Sequence, residues 1–337
     1  MTRETAHDSR SLVERVFRAL ADGDFHSGEQ LAQRLDVSRS AVWKAVNKLR
    51  DLGSTVHAVP NRGYRLADAG EPLDAPVIRE ALARGARARL RHLEVAWTVG
   101  STNTVLLERP SPAPGETEAA LAEFQSAGRG RRGRSWFAPP GGAVCLSLSW
   151  TFTQMPRDVG SLSLAIGVCV LRALERLGIA ALQLKWPNDV LLGDAKLGGI
   201  LIELRAESAG PASVVIGIGL NVALGAALGA QLAAAGVAAA DLGAASALLP
   251  ARNAIAASLI ESCIEGLLEF EQHGLRAFME EWRRADALRG RTVTVSSGDE
   301  RTRGLARGVD LTGALLIENP QGVRKFVTGE VSVRPSA

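Results

Sequence analysis

"GRGRRGRSW", Gly128–Trp136, sets four arginines and three glycines in nine residues with no acid among them. Glycine lets a backbone come close to a ligand. Arginine forks match carboxylate and phosphate oxygens two at a time. The preceding run "AALAEFQS" (119–126) reads as a strand, so a strand empties into a cationic loop, a cradle for an anion. An RGG-like RNA-binding segment and a solvated turn are the competing readings of the loop alone. With no acid nearby, its like charges repel, and the loop is expected to be mobile until an anion orders it.

Four further stretches narrow the choice. "GSTN" (100–103) ends a strand and opens a helix with hydroxyls and an amide. "KWPND" (185–189) places a lysine, a tryptophan and a carboxylate at a strand-to-turn junction. "KLGGILIE" (196–203) opens a strand with a lysine beside two glycines. "GIGLN" (217–221) ends a strand with an amide. Singly each reads as a cap or a turn. Together they supply hydroxyl and amide donors, an anion loop, two lysines and an acid, a kit suited to a small carboxylic acid plus a nucleoside triphosphate. Only five lysines occur in this arginine-biased chain, which draws attention to Lys185 and Lys196.

Ahead of this region, residues 11–66 read as a compact unit. "SLVERVFRAL" and "GEQLAQRL" have helical periods. Ser38 caps a third helix that Gly53 stops. Val42, Ala45, Val46 and Leu49 form its inward stripe, while Ser40, Trp43, Lys44 and Asn47 share another face. "TVHAVPNRGYRL" alternates like a hairpin with "PNRG" at its tip. Three helices and a basic hairpin make a winged helix-turn-helix. Seven basic residues against two acidic ones between Arg34 and Leu66 point to DNA. Arg39, Ser40, Trp43, Lys44 and Asn47 are placed toward a groove and Arg62 toward the adjacent backbone. Such folds also serve as protein-interaction modules.

"ADAGEPLDAP" (67–76) reads as a linker. From 77 to 285 strand-like and helix-like runs alternate, an α+β or mixed core, with helices at 158–178 and 251–285. The alanine-rich stretch 223–249 is broken by glycines into short helices and loops. Residues 286–337 hold short strands suggesting a small SH3-like β-barrel. The chain of 337 residues has 46% apolar residues and a net charge of +3, an ordinary soluble composition. Cys145, Cys169 and Cys263 lack metal or disulfide spacing and read as buried thiols of a reducing cytosol. The N-terminus lacks the apolar stretch of a signal peptide, and no membrane span is read. The expected location is cytoplasmic.

The order "GSTN … FQSAGRGRRGRSW … KWPND … KLGGILIE … GIGLN" resembles biotin–protein ligases, and with the winged helix ahead and the barrel behind it resembles their bifunctional form, the biotin operon repressors. The resemblance covers about 11–334. It implies domains at 1–66 (winged helix-turn-helix), 77–285 (a mixed-sheet, class II synthetase-like biotin ligase core) and 286–337 (SH3-like), with 67–76 as linker. It implies ATP and biotin as substrates and Mg2+ as cofactor: biotin is adenylated to biotinyl-5′-AMP, then passed to a lysine of the biotin carboxyl carrier protein of acetyl-CoA carboxylase. It also implies operator DNA of biotin-synthesis genes and a ligand-dependent homodimer.

Carried over by position, Ser101, Thr102, Asn103, Gln125, Gly128, Arg129, Arg131, Trp136 and Lys196 would hold biotin. Arg131, Arg132, Lys185, Asn188, Asn221 and Arg334 would hold ATP. Lys196, Arg131 and Arg129 would be catalytic, and Asn188 and Asp189 are the magnesium candidates. One departure stands out: no aromatic residue lies between Asn221 and Phe270, so the adenine cover is expected to be aliphatic. The rival readings are a lipoate-type ligase, a transcription factor that only senses biotin, and a ligase whose helix-turn-helix no longer binds DNA.

Overall fold

Ser11, Ser27 and Ser38 each stand just before a helix, and each side chain accepts a backbone N–H of the first turn. Caps of this kind are worth about 1 kcal/mol apiece. They start α1 (Leu12–Leu20), α2 (Gly28–Leu35) and α3 (Arg39–Asp51). Asp36 turns left-handed (φ 52°) to end α2 and swing the chain into α3. The inward stripe of α3 is buried as expected and meets Val16, Phe17 and Leu20 of α1 and Leu31 of α2 in one apolar cluster. β1 (Val56–Val59) and β2 (Gly63–Leu66) pair antiparallel as the wing. The computed structural model describes residues 10–67, 70–154, 156, 158–205, 213–246, 248–297, 300–327 and 329–333.

The segment read as a linker is docked, not loose, from Glu71 onward. Leu73 is fully buried and its N–H donates to Glu123 at 2.6 Å. The Asp74 N–H donates to Asn253, whose amide donates to the Pro72 carbonyl. Arg252 bonds the Glu71 and Ala143 carbonyls and pairs with Glu123 at 2.9 Å. Both ion-pair side chains are almost wholly buried, so loss of either partner would cost about 3–5 kcal/mol. The segment's Pro and Gly content marks a helix break; side chains from the core hold it from Glu71 onward. The chain then enters α4 (Ala75–Ala81) and α5 (Arg84–Arg89).

The central sheet has seven strands: β3 (Leu90–Val99), β4 (Thr117–Gln125), β5 (Ala143–Thr151), β6 (Leu182–Lys185), β7 (Asp189–Leu192), β8 (Ala195–Arg205) and β9 (Ser213–Asn221). Their order is β3-β4-β5-β9-β8-β7-β6. Only β3 and β4 run parallel, so the sheet is mixed. One face carries the main core, where Ile216, Ile218 and Leu220 meet α7 (Leu162–Arg176) and α9 (Arg252–His273). On the opposite face the short α6 (Thr102–Leu107) drops Leu106 onto Ala120 and Val215, leaving the rest of that face to a cavity. The three cysteines are free and buried. As expected, 223–249 forms short pieces: α8 (Ala226–Ala234) and a 3-10 turn at Leu242–Ala244.

After α10 (Met279–Ala285) come β10 (Thr292–Ser297), β11 (Glu300–Val309), β12 (Leu315–Asn319), β13 (Gly322–Phe326) and β14 (Glu330–Val333). They form one sheet, β13-β12-β11-β10-β14, with no pairing between β13 and β14 among the described residues. The sheet is fastened to the core where the Trp186 indole donates to the Gly313 carbonyl at 3.0 Å. No helix among the described residues is long and apolar enough to cross a membrane.

Candidate active site

A cavity of about 440 Å³ lies on the α6 side of the central sheet. Its floor is polar. The backbone N–H and hydroxyl of Thr102, at the start of α6, both donate to Gln125 Oε1 at 2.8 and 3.2 Å. The buried Ser147 hydroxyl lies 2.7 Å from Thr102 Oγ1 and 2.5 Å from Asn103 Oδ1. Asn103 and Ser101 are themselves buried. The strand glycines of "GIGLN" make the room. A Cβ at Gly217 would stand 2.4 Å from Asn103 Oδ1, and one at Gly219 would stand 2.5 Å from the Trp136 indole. Trp136 thus lies flat against β9 and walls the cavity, with its Nε1 buried and unpartnered. Burial behind it pushes the Cys145 thiol up to about 11.

The arginine loop is the rim. Its ends are pinned as a hairpin: the Trp136 N–H donates to the Gly128 carbonyl, and the Gly130 N–H to the Arg134 carbonyl. The expectation of a loop without acids to hold it is corrected. Arg129 reaches Glu203 of β8 at 2.9 Å, Arg134 pairs with Glu330 of β14, and Arg131 donates to Asn188 Oδ1 at 3.3 Å. The acids were invisible in the local sequence because they come from strands far along the chain. Arg132, left-handed at φ 56°, carries the loop through a single 3-10 turn.

"KWPND" and "KLGGILIE" meet across β7 and β8. Lys196 Nζ lies 2.6 Å from Asp189 Oδ1. Lys185 stands beside them, and burial pushes its pKa below the usual lysine value, with Asp189 opposing and Lys196 adding to the fall. Burial, then the charge of Arg132, lowers Arg131 in the same sense. Trp186, by contrast, is core mortar with its ring buried. For magnesium the lysine side of the cavity offers the Asp189 carboxylate and the amide oxygen of Asn188, both already partnered by cations. Among the described residues no cluster of three metal-ligating side chains exists. Such a pair suits a hard cation only when phosphate oxygens and water complete the shell.

At the far end, Asn221 donates to the Ala240 carbonyl at 3.0 Å. The segment after α8 is pinned by backbone: Lys196 N–H to the Ala238 carbonyl, Ala240 N–H to the Lys196 carbonyl. Leu224, Leu232 and Val237 line this end of the cavity. Through its bond to the Ala240 carbonyl the Asn221 amide, which lines the cavity, holds the segment carrying Ala240.

The other basic surface lies on α3 and the wing. Arg39, Ser40, Trp43 and Lys44 are exposed along α3. Ser40 Oγ lies 2.9 Å from Ser38 Oγ. Asn47 accepts from Arg50, which also bonds the Val56 carbonyl. Arg62 lies over the Phe25 ring at 4.1 Å. This ring steadies the wing tip from α2's preceding loop.

The model of the biotin/lipoate A/B protein ligase family matches residues 95–221, that of the biotin protein ligase C-terminal domain 289–334, and that of an HTH domain 13–65. The bifunctional ligase/repressor BirA of Salmonella typhimurium is 39% identical over 94% of this chain and 95% of its own length. The chain belongs to the bifunctional ligase/repressor BirA family of biotin protein ligases. The family's Escherichia coli member is 38% identical over 95% of this chain and 96% of its own. Among solved structures, the Aquifex aeolicus biotin protein ligase in complex with biotin and ATP aligns with a TM-score of 0.61 at 25% identity, covering 73% of this chain and all of that one.

The cavity of this ligase-family chain gathers Ser101, Thr102, Asn103, Gln125, Arg129, Arg131, Arg132, Trp136, Lys185, Asn188, Asp189, Lys196 and Asn221. Gly128 sits just behind, bonded to Trp136. Arg334 lies outside the described residues. Sequence reading missed Ser147, Glu330 and the spacing role of Gly217 and Gly219. Only the glycine repeat in "GIGLN" carried any signal of it.

Proposed function

We propose that this chain is an ATP-dependent biotin–protein ligase, biotin–[biotin carboxyl carrier protein] ligase, and a biotin-responsive transcriptional repressor. The observation that carries the reading is one cavity joining a buried amide-and-hydroxyl floor to a rim of arginines and lysines across a tryptophan wall. Thr102, Gln125 and Ser147 suit the donors and acceptor of a ureido ring, with Ser101 and Asn103 beside them and Gly128 behind. Trp136 suits the apolar tail. Buried polar partners of this kind reject analogues that cannot pair with them, which favours biotin over lipoate.

The biotin carboxylate oxygen attacks the ATP α-phosphorus; the bond to the bridging oxygen breaks and pyrophosphate leaves. Two like-charged groups must meet, so cations aimed at the shifting charge matter most. Lys196, Arg131 and Arg129 take that role, and Arg132 and Lys185 face the phosphates. Asn188 and Asp189 would hold magnesium, which when bound neutralises phosphate charge. Asn221 serves the adenine end, and Arg334 is assigned to ATP by the family resemblance alone. In the second half-reaction an acceptor lysine amine attacks the acyl carbon and AMP leaves. The acceptor is the carrier protein of acetyl-CoA carboxylase.

The domain scheme is 1–66, 77–285 and 286–337 joined by 67–76, with a class II synthetase-like core and a C-terminal domain of the SH3-like kind. The winged helix reads operator DNA of biotin-synthesis genes as an adenylate-bound homodimer in the cytoplasm, using Arg39, Ser40, Trp43, Lys44, Asn47 and Arg62. The test is transfer of labelled biotin to a carrier domain with and without ATP and with lipoate as competitor. No ATP-dependent transfer, or equal competition by lipoate, overturns the reading.

A further inference from the structure

Glu203 closes "KLGGILIE", yet nothing in the reaction just described uses it. It stands on β8 opposite Val215 of β9, about three-quarters buried as a side chain. One oxygen, Oε2, takes two donors from different elements: Asn103 Nδ2 at 2.8 Å and the Arg129 guanidinium at 2.9 Å. Arg129 also donates to Thr104 Oγ1 at 3.2 Å. Because the Asn103 nitrogen must face the carboxylate, its oxygen must face Ser147. Ser147 also lies 2.7 Å from Thr102 Oγ1, and the Thr102 backbone N–H donates to Gln125 Oε1. A charge on β8 therefore sets the direction of a hydrogen-bond chain running across the cavity floor. The same charge draws the first arginine of the loop down against α6.

We propose that Glu203 is a positioning residue for this site, orienting the Asn103–Ser147–Thr102–Gln125 chain that meets the acid substrate and anchoring the arginine loop through Arg129. The inference rests on the ligase reading for the identity of the substrate, but the anchoring does not. Charge-assisted hydrogen bonds are roughly twice as strong as neutral ones. An oxygen shared by two donors makes their positions depend on each other. Asn103 is held by an acceptor whether charged or not; Arg129 needs the charge. The two functions therefore separate by substitution.

The experiment compares Glu203→Gln and Glu203→Ala with the parent full-length protein. Amide hydrogen exchange of residues 128–136 is measured with no ligand added, and biotin KM and kcat for pyrophosphate release are measured with ATP. Glu203→Gln keeps an acceptor for Asn103, so biotin KM is expected to stay within about threefold while loop exchange speeds up. Glu203→Ala removes both, and biotin KM is expected to rise about tenfold, a typical charged hydrogen bond, with kcat falling less. Adding Glu203→Gln to Arg129→Ala is expected to change loop exchange no further. Unchanged loop exchange in Glu203→Gln, additive exchange effects with Arg129→Ala, or biotin KM equal in Glu203→Ala and the parent each overturn the proposal. Should Glu203→Ala fail to fold, the Gln variant and the double variant still decide it. A parent that releases no biotin-dependent pyrophosphate sinks the ligase reading instead, while the loop-exchange arm still tests the anchor.

Discussion

Gly219→Ala is the sharpest probe of how the cavity is built. The new Cβ would stand 2.5, 2.6 and 2.9 Å from three atoms of the Trp136 indole, closer than carbon atoms can pack. Gly219 sits mid-strand in β9, paired with Cys145 on one side and Gly199 on the other, and it is not among the positive-φ glycines. Alanine therefore suits the backbone, and the whole conflict falls on the indole. Backing away from the sheet would take Trp136 into the cavity it walls. Overpacking of this kind costs about 1–3 kcal/mol, and if it falls on the ligand-binding geometry, biotin affinity drops about 5- to 150-fold. Trp136 is only partly buried, so the fold should survive. Calorimetric titration with biotin, beside a thermal melt, measures both. Biotin affinity within twofold of the parent would refute the placement of Trp136 against β9 as the wall of the acid site.

Lys196→Arg should lower pyrophosphate release about a hundredfold or more, the scale of losing one group aimed at developing charge, since Lys196 fits closely between Asp189 and Gly199; near-parent turnover by a folded variant counts against its role. Burial lowers the Lys185 pKa, so its proton leaves before the ordinary lysine range and the KM for ATP should rise on the alkaline side; Lys185→Met should flatten that limb in a pH profile. The sign for stability is opposite: a charged Lys185 with a lowered folded pKa costs stability at neutral pH, and the cost lifts as pH climbs toward the unfolded value of about 10.4, so Lys185→Met should melt higher than the parent at pH 7. Lys44→Ala should weaken operator binding at every sequence tested and reduce the slope of log affinity against log salt by about 1, leaving ligation intact; an unchanged salt slope in a gel-shift series would remove Lys44 from the phosphate contacts.

The elements that chemistry requires locally were legible. The Ser38 cap, the α3 stripe and the glycine-broken alanine stretch follow from spacing alone, and each motif of the adenylation kit falls at one cavity. The chain's own charges were misread wherever the partner was distant. The loop at 128–134 looked unanchored because Glu203 and Glu330 lie about 70 and 200 positions further on in sequence, yet they meet it at ion-pair distance. The 67–76 segment reads as a linker from its Pro and Gly content; from Glu71 onward it is anchored by Glu123 and Arg252, a buried pair on β4 and α9. The family resemblance assigns Asn221 to the base; the structure adds that its amide donates to the Ala240 carbonyl.

The same distance rule joins the two basic regions that the sequence presents as separate. Trp136 faces the cavity, while the next residue, Phe137, lies within 3.2 Å of the Cβ position of Gly53 at the end of α3. Gly53 is left-handed at φ 93°, so its surface is bare backbone, and a flat ring can rest on it. On the other flank, the Phe17 ring of α1 lies tilted against Trp97 of β3 with centroids 5.2 Å apart and stands 3.2 Å from the Cβ position of Gly141, whose N–H donates to Glu123. The winged helix is therefore seated on the core at both ends of one short chain path, from the Glu123–Arg252 pair to the arginine loop. A ring on the Gly53 backbone gains contact area and no directional bond, so this seat is set by shape. Its geometry depends on where the 128–137 hairpin lies, and that hairpin is also tied to the core by ion pairs to Glu203 and Glu330.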